Sequence, residues 1–496
     1  MKKMSIFVIT FLLLVSISST NIKAAYNYSP LGDVVASAEA LIVKKVVDSS
    51  NTTNPLGQRV FVNYGTLVDV FSFQDKIYLV DSGNSIIHVL DGEFHYLESF
   101  GSSNGPGKLA SPRGIFVNSD EIHVADYGNY RVAVFNHQYE FVKEITTPND
   151  PTFKQFPSDA NGYDFKPLKV AADRTGRVYV IADQIFEGIV DFNPDGTFSR
   201  YIGGNTITLS LWDAFWLRFT TEQQRKAQGF RLATTFINLN VDQDGYIYTV
   251  SSSGQGQRVI KKLNYKGKDV LVRNGYVPQI GDVHTVFKNT NVPTGSSEFI
   301  DIDVNEIGTY SVLDKTRGRI FTYDFEGNLL YIGGQLGNVG GAVNNQSSLF
   351  NQPEALSYHG NQILVVDSLN KNLVVLEYTE FAQLVNFANQ YYFHGDYERA
   401  GQTWREVLVL NTNYYLAYAG IGKAQLREGN YRQAMANAKR GYDDYTYSKA
   451  YQPYRYNQLT AIFPYLAGTG LACVAYLFGK SIYRSVKAEK EEEEVA

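Results

Sequence analysis

Five aspartates, Asp81, Asp126, Asp183, Asp314 and Asp367, each end a short apolar run and open a turn. A carboxylate at that position accepts the backbone N–H groups of the turn. Its recurrence in hairpin after hairpin argues for holding turns rather than for catalysis. The seven histidines, His88, His95, His123, His137, His284, His359 and His394, fall at different offsets from these aspartates. None lies in a nucleophile motif such as G-x-S-x-G. The chain has no phosphate-binding glycine loop and no Cys/His metal spacing, so nothing in it calls for a cofactor. Cys473 is the only cysteine, which excludes an intramolecular disulfide. Trp212 and Trp216 sit together and are candidate ligand anchors, since aromatic side chains dominate interfaces.

The elements around the aspartates repeat. Ser111 to Phe135 reads as a short strand, a second strand ending at Asp126, a tight turn and an alternating third strand. In the turn, Gly128 and Asn129 are residues that tolerate positive φ. Lys76 to Asp91 has the same order, with Asp81 45 residues before Asp126. Further copies run through Val178 to Phe192, Tyr246 to Leu263, Thr309 to Asp324 and Gln362 to Glu377. Four strands per unit at roughly 40 to 65 residues is the period of a β-propeller, here of six blades. The sixth copy lacks an outer strand, and Ala40 to Asp48 (ALIVKKVVD) lacks a partner. This N-terminal segment is predicted to close the ring so that no edge stays open.

VADYGNYRVAVF, from Val124 to Phe135, resembles the NHL repeat: an apolar strand ending in Asp, a Gly-Asn turn, an Arg, then a strand ending in Phe. The resemblance covers about two thirds of the chain and implies a propeller that serves as a binding platform. Propeller relatives of the gluconolactonase or streptogramin-lyase kind would instead point oxygen donors into the central channel. Aligned on Arg113, the inner strands present Val68, Arg113, Leu168, Ile237, Ile300 and Glu354. That set makes no hard-cation site, and it leaves Arg113 and Glu354 as ligand-binding candidates. The register one residue on, Asp69, Gly114, Lys169, Asn238, Asp301 and Ala355, is richer in oxygen but should face the other side of each strand. In that alternative, Asp69, Asn238 and Asp301 would hold a calcium ion in an anchored hydrolase or lyase.

Beyond the propeller the composition changes. Residues 1–24 have Lys2 and Lys3, an apolar run centred on Phe11 to Val15, and Ala24 before the cut expected of a secretory signal peptide. An uncleaved anchor is the other reading. Residues 207–230 interrupt the propeller (residues 25–377) with an aromatic helical pattern, either packed on its face or acting as a lid. From residue 378 to 450 the period becomes helical. Gly395, Tyr397 and Ala400 return 34 residues later as Gly429, Tyr431 and Ala434, a pattern resembling the tetratricopeptide repeat. A further helix is expected from Ser448. Residues 459–479 carry no charge and are long enough to cross a bilayer, with tyrosines before them suited to its interface. Lys480, Arg484, Lys487 and Lys490 in the tail (residues 480–496) place the C-terminus in the cytoplasm.

A net charge of −5 with no basic stripe excludes nucleic acid as a partner. The expected protein is a single-pass membrane protein whose exported propeller and helical stalk hold a protein or glycan. The lipid bilayer is met through the C-terminal helix.

Overall fold

The computed structural model describes residues 25–154, 162–204, 235–251, 259–282, 296–336 and 350–493. The expected leader and the insertion with Trp212 and Trp216 lie outside these residues. The chain divides after Gln383 into two compact units.

The first unit is a six-bladed propeller. Its inner strands are Leu67–Phe73, Gly114–Val117, Pro167–Ala172, Phe236–Val241, Phe299–Val304 and Pro353–His359. Each blade pairs its strands antiparallel in chain order, and five of the described sheets have four strands. The strands read as near-continuous apolar runs because each blade is covered on both faces. Tyr78, Val80, Val124 and Val312, on the second strands of three blades, are accordingly all buried. The sixth blade takes its outer strand from the N-terminus, as predicted: Leu41–Val47 pairs antiparallel with Asn372–Tyr378.

Among the described residues the fourth blade has three strands, and its edge is blunted by the segment after its third strand. The Val270 N–H donates to Lys262 O (2.7 Å), and the Arg273 guanidinium donates to Ile260 O (2.8 Å). Backbone and side-chain donors thus occupy groups that a fourth strand would have taken. A hairpin that the repeat pattern did not announce, Tyr26–Tyr28 with Val34–Ala36, precedes the closing strand. The hydroxyls of Tyr26 and Tyr28 donate to Asp282 at 2.7 and 2.5 Å.

The turn aspartates do what their spacing suggested, in a more exacting way. Asp81, fully buried, accepts the backbone N–H of Gly65, Thr66 and Asn84. It thereby ties the turn to the loop entering its own blade. Asp126, Asp314 and Asp367 likewise accept from the backbone of Ala110, Glu298 and Asn351. Asp183 differs: its carboxylate accepts the Tyr127 hydroxyl of the neighbouring blade (3.1 Å). The turn's positive φ falls on Tyr130 (58°), with equivalents at Ser85, Gly318 and Lys371, and not on Gly128 or Asn129, the residues best able to tolerate it. Gly128 is needed for closeness: a Cβ there would lie 2.7 Å from Ala110 O.

The second unit is helical, and its first helix begins just before the division. In chain order the helices are α1 (Glu380–Phe393), α2 (Tyr397–Leu410), α3 (Tyr415–Arg427), α4 (Tyr431–Arg440) and α5 (Asp444–Glu493). The 34-residue echo is structural: Gly395 and Gly429 both turn with φ near +78°, and Ala400 and Ala434 are both buried. Small residues let helices close up; a Cβ on Gly441 would lie 2.4 Å from Ala419 N. The helix expected from Ser448 starts at Asp444 and does not stop. It runs on as α5 for 50 residues, through Pro453 and Pro464. One stretch of it is long and apolar enough to cross a membrane, with mean hydropathy 1.6.

Candidate functional site

The channel is lined by the register that the sequence alignment turned away from it. Asp69, Lys169, Asn238 and Asp301 face a central cavity, with Asn240, Asp303 and Ser357 one layer further in. The cause is a β-bulge in the inner strands. Pairing slips between Leu67 and Asp69, Pro167 and Lys169, Phe236 and Asn238, Phe299 and Asp301, and Pro353 and Ala355. In the second blade Ala125 O accepts the Arg113 N–H while Ala125 pairs with Gly114. The extra residue in each strand is the one the alignment on Arg113 had aimed at the channel. A bulge re-aims the side chain after it, so the expected facing of Val68, Arg113, Leu168, Ile237, Ile300 and Glu354 is corrected by one residue.

The converging groups are already partnered. Lys169 Nζ donates to Asp69 Oδ1 at 2.7 Å, from a blade two places away. It passes Gly114, where a Cβ would stand 3.2 Å from Lys169 Cδ and 2.8 Å from Leu168 O. Asp69 Oδ2 accepts the Ile115 N–H (2.9 Å), so this carboxylate joins blades one, two and three. Asp301 joins blades four, five and six: it accepts from Asn238 Nδ2 and from the N–H groups of Ile302 (2.8 Å) and Leu356 (2.6 Å). Asp303 repeats that pattern one layer down with Asn240 Nδ2 (2.6 Å) and the Tyr358 N–H (2.7 Å). The other side of this layer is closed by Phe71 and Phe116, with ring centroids 5.0 Å apart. Two half-rings, each held by carboxylate hubs, therefore meet around the axis.

Electrostatics follows from this enclosure. Burial pulls the Lys169 ammonium down, but Asp69 and Asp301 outweigh it and hold the group above its ordinary value. Burial pushes the Asp301 carboxyl up; Lys169 opposes and the charge of Asp69 adds, leaving it raised. Asp303 is pushed up to about 6, chiefly by burial, against the N–H donors that favour its charged form.

The calcium ion of the alternative reading would need roughly six to eight free oxygen donors. Here Asp69 and Asp301 spend their oxygens on backbone and side-chain donors, and Asn238 turns its amide nitrogen to Asp301. The Lys169 ammonium holds the positive charge. The remaining cavity is about 20 Å³, room for about one water. These residues do not fit a divalent ion.

The other candidates are dispersed. Arg113 is exposed, with its guanidinium 5.4 Å over the Tyr127 ring. Glu354 is half-buried and accepts from Gln352 Nε2 (2.6 Å) and Ser368 Oγ (3.0 Å). Both stand at the entrance ends of inner strands, on the bulges. A pairing that the sequence hid joins blades six and one: the His359 imidazole lies 2.8 Å from Ser72 Oγ and 3.1 Å from Gly92 O. A carbonyl can only accept, so Nε2 donates to Gly92 O while Nδ1 meets the Ser72 hydroxyl. Nothing in the repeat pattern relates residues 72 and 359.

No family model matches the chain, and no curated relative matches it. Solved structures match it only distantly, at low identity. A virginiamycin B lyase from Staphylococcus aureus is 10% identical, with 68% of this chain and 98% of that chain covered and a TM-score of 0.39. An auxiliary nutrient binding protein from Bacteroides ovatus is 13% identical (70% and 80% covered, TM-score 0.41). A Bacteroides thetaiotaomicron protein of unknown function is 13% identical (70% and 80%, TM-score 0.43). Likeness this distant transfers neither substrate nor partner. The chain's own strand pairing makes it a six-bladed β-propeller followed by a helical region that ends in one long apolar helix.

Proposed function

We propose that this is a membrane-anchored binding or scaffold protein that presents an NHL-type propeller and a tetratricopeptide-like helical unit to a protein or glycan outside the cytoplasm. The observation that carries this reading is the filled channel. Among the described residues its polar groups bind one another and the cavity they line has room for about one water, so recognition falls to the loops and turns at the blade ends. Arg113 and Glu354, at the entrance ends of their inner strands, border those loops and are the side chains assigned to ligand contact. In this reading residues 1–24 direct export, residues 459–479 cross the bilayer and the basic tail stays in the cytoplasm. A membrane complex such as a transporter is the kind of partner that this placement favours.

The test is photo-crosslinking from single positions in the full chain in native membranes. Probes replacing Arg113 or Glu354 are expected to give a discrete adduct. A probe at Val142, exposed on an outer strand, is expected to give none. Equal or absent labelling at all three positions contradicts the assignment of the binding face.

A further inference from the structure

We infer that the α3–α4 turn of the helical unit, Glu428 to Asn430 with the flanking Arg427 and Arg432, is a contact surface for phospholipid headgroups; this rests on the reading that α5 crosses a bilayer. Length along that single helix sets the height of the turn. The first turns of α5 belong to the helical unit, with Thr446 and Ala450 buried. From Arg455 to Ala488 every described side chain except Ala467 is exposed. Residues 459–479 span about 31 Å at 1.5 Å per residue, matching the roughly 30 Å hydrocarbon core. Ala450 lies nine residues before Leu459, about 13 Å, with helix and no loop between them.

The neighbouring helices fix what else stands at that height. Gly441 abuts Ala419 and Gly422 abuts Ala438, so α3 and α4 run antiparallel. The loop 441–443 is too short for anything but an antiparallel return from α4 to α5. The ten residues of α4 cover about 15 Å, which brings its start level with residues near 454 of α5. That is on the order of 7 Å outside Leu459, at the outer part of a headgroup layer about 5 to 7 Å deep.

The chemistry at that level suits phosphate and the interface. Arg427 and Arg432 are exposed, and Arg427 lies 5.0 Å over the Tyr397 ring. On α5, Arg455 lies 5.9 Å over Tyr451, and Tyr456 is exposed. Guanidinium groups meet phosphates, and tyrosines favour the headgroup level. The opposite turn, at Thr412, stands further out by the length of α3, about 20 Å.

Nitroxide accessibility separates the possibilities. The full chain is reconstituted in phosphatidylcholine vesicles containing phosphatidylglycerol. One sample is labelled at the native Cys473; the others carry Cys473→Ser with Glu428→Cys or Thr412→Cys. Collision rates with oxygen and with an aqueous nickel chelate are compared. Cys473 is expected to report depth in the hydrocarbon. The label at 428 is expected to meet the nickel chelate at least about threefold less than the label at 412. Equal chelate access at 428 and 412, with Cys473 still deep, overturns the headgroup contact alone. Free chelate access at Cys473 overturns the span, and the headgroup contact with it.

Discussion

Asp303 shows how a hub of the ring ties stability to pH. Its carboxylate accepts the N–H groups of Tyr358 and Val304 and the amide of Asn240, yet its burial still raises its pKa to about 6. A carboxyl whose folded pKa lies above its unfolded value of 3.8 gives its full stabilisation below pH 3.8. That contribution is lost as pH rises through 6. The advantage of the native chain over Asp303→Asn should therefore shrink by roughly 2 kcal/mol between pH 4 and pH 7. Denaturant unfolding of both chains in detergent across that range checks it. A constant difference would show that Asp303 titrates normally.

At the scale of elements, the outer strand of the sixth blade is the one piece brought from a distance, and its two faces have unequal duties. Val47 is buried in the core shared by blades six and one, whereas Val43, four residues earlier, is 37% exposed. Val47→Asp buries a carboxylate without a partner and should cost about 3 kcal/mol or more. Val43→Asp on the same strand should cost under about 0.5 kcal/mol. Thermal melts of the two variants distinguish a closing strand that packs from one that only pairs. The bulges are the other element-scale device. By inserting one residue at the entrance of each inner strand, they turn Asp69, Lys169, Asn238 and Asp301 inward.

For the whole molecule, the decisive feature is the continuity of α5, in which one helix both completes the helical unit and supplies the long apolar stretch. Exposed side chains such as Leu466, Leu471, Val474 and Phe478 have no protein cover among the described residues. Removal of residues 459–493 should move the chain from the membrane pellet to the supernatant in alkaline carbonate extraction. Retention of the truncated chain in the pellet would place the anchor elsewhere.

The repeat of strand, aspartate, turn and strand was legible because turn chemistry and apolar periodicity are local, and so was the lone strand at Leu41–Val47 that had to find a partner. The 34-residue helical echo and the uncharged stretch at 459–479 were legible for the same reason. The facing of the channel was not, because one bulge per strand reverses an alternation that a one-dimensional alignment must assume intact. Nor were the partners: Asp69 with Lys169, Asp301 with Leu356, and Ser72 with His359 lie 100, 55 and 287 residues apart. Their meeting depends on ring closure, which brings the inner strands of distant repeats onto one axis. Local sequence thus set what each blade is, while closure decided which of its polar groups would spend their bonds on one another.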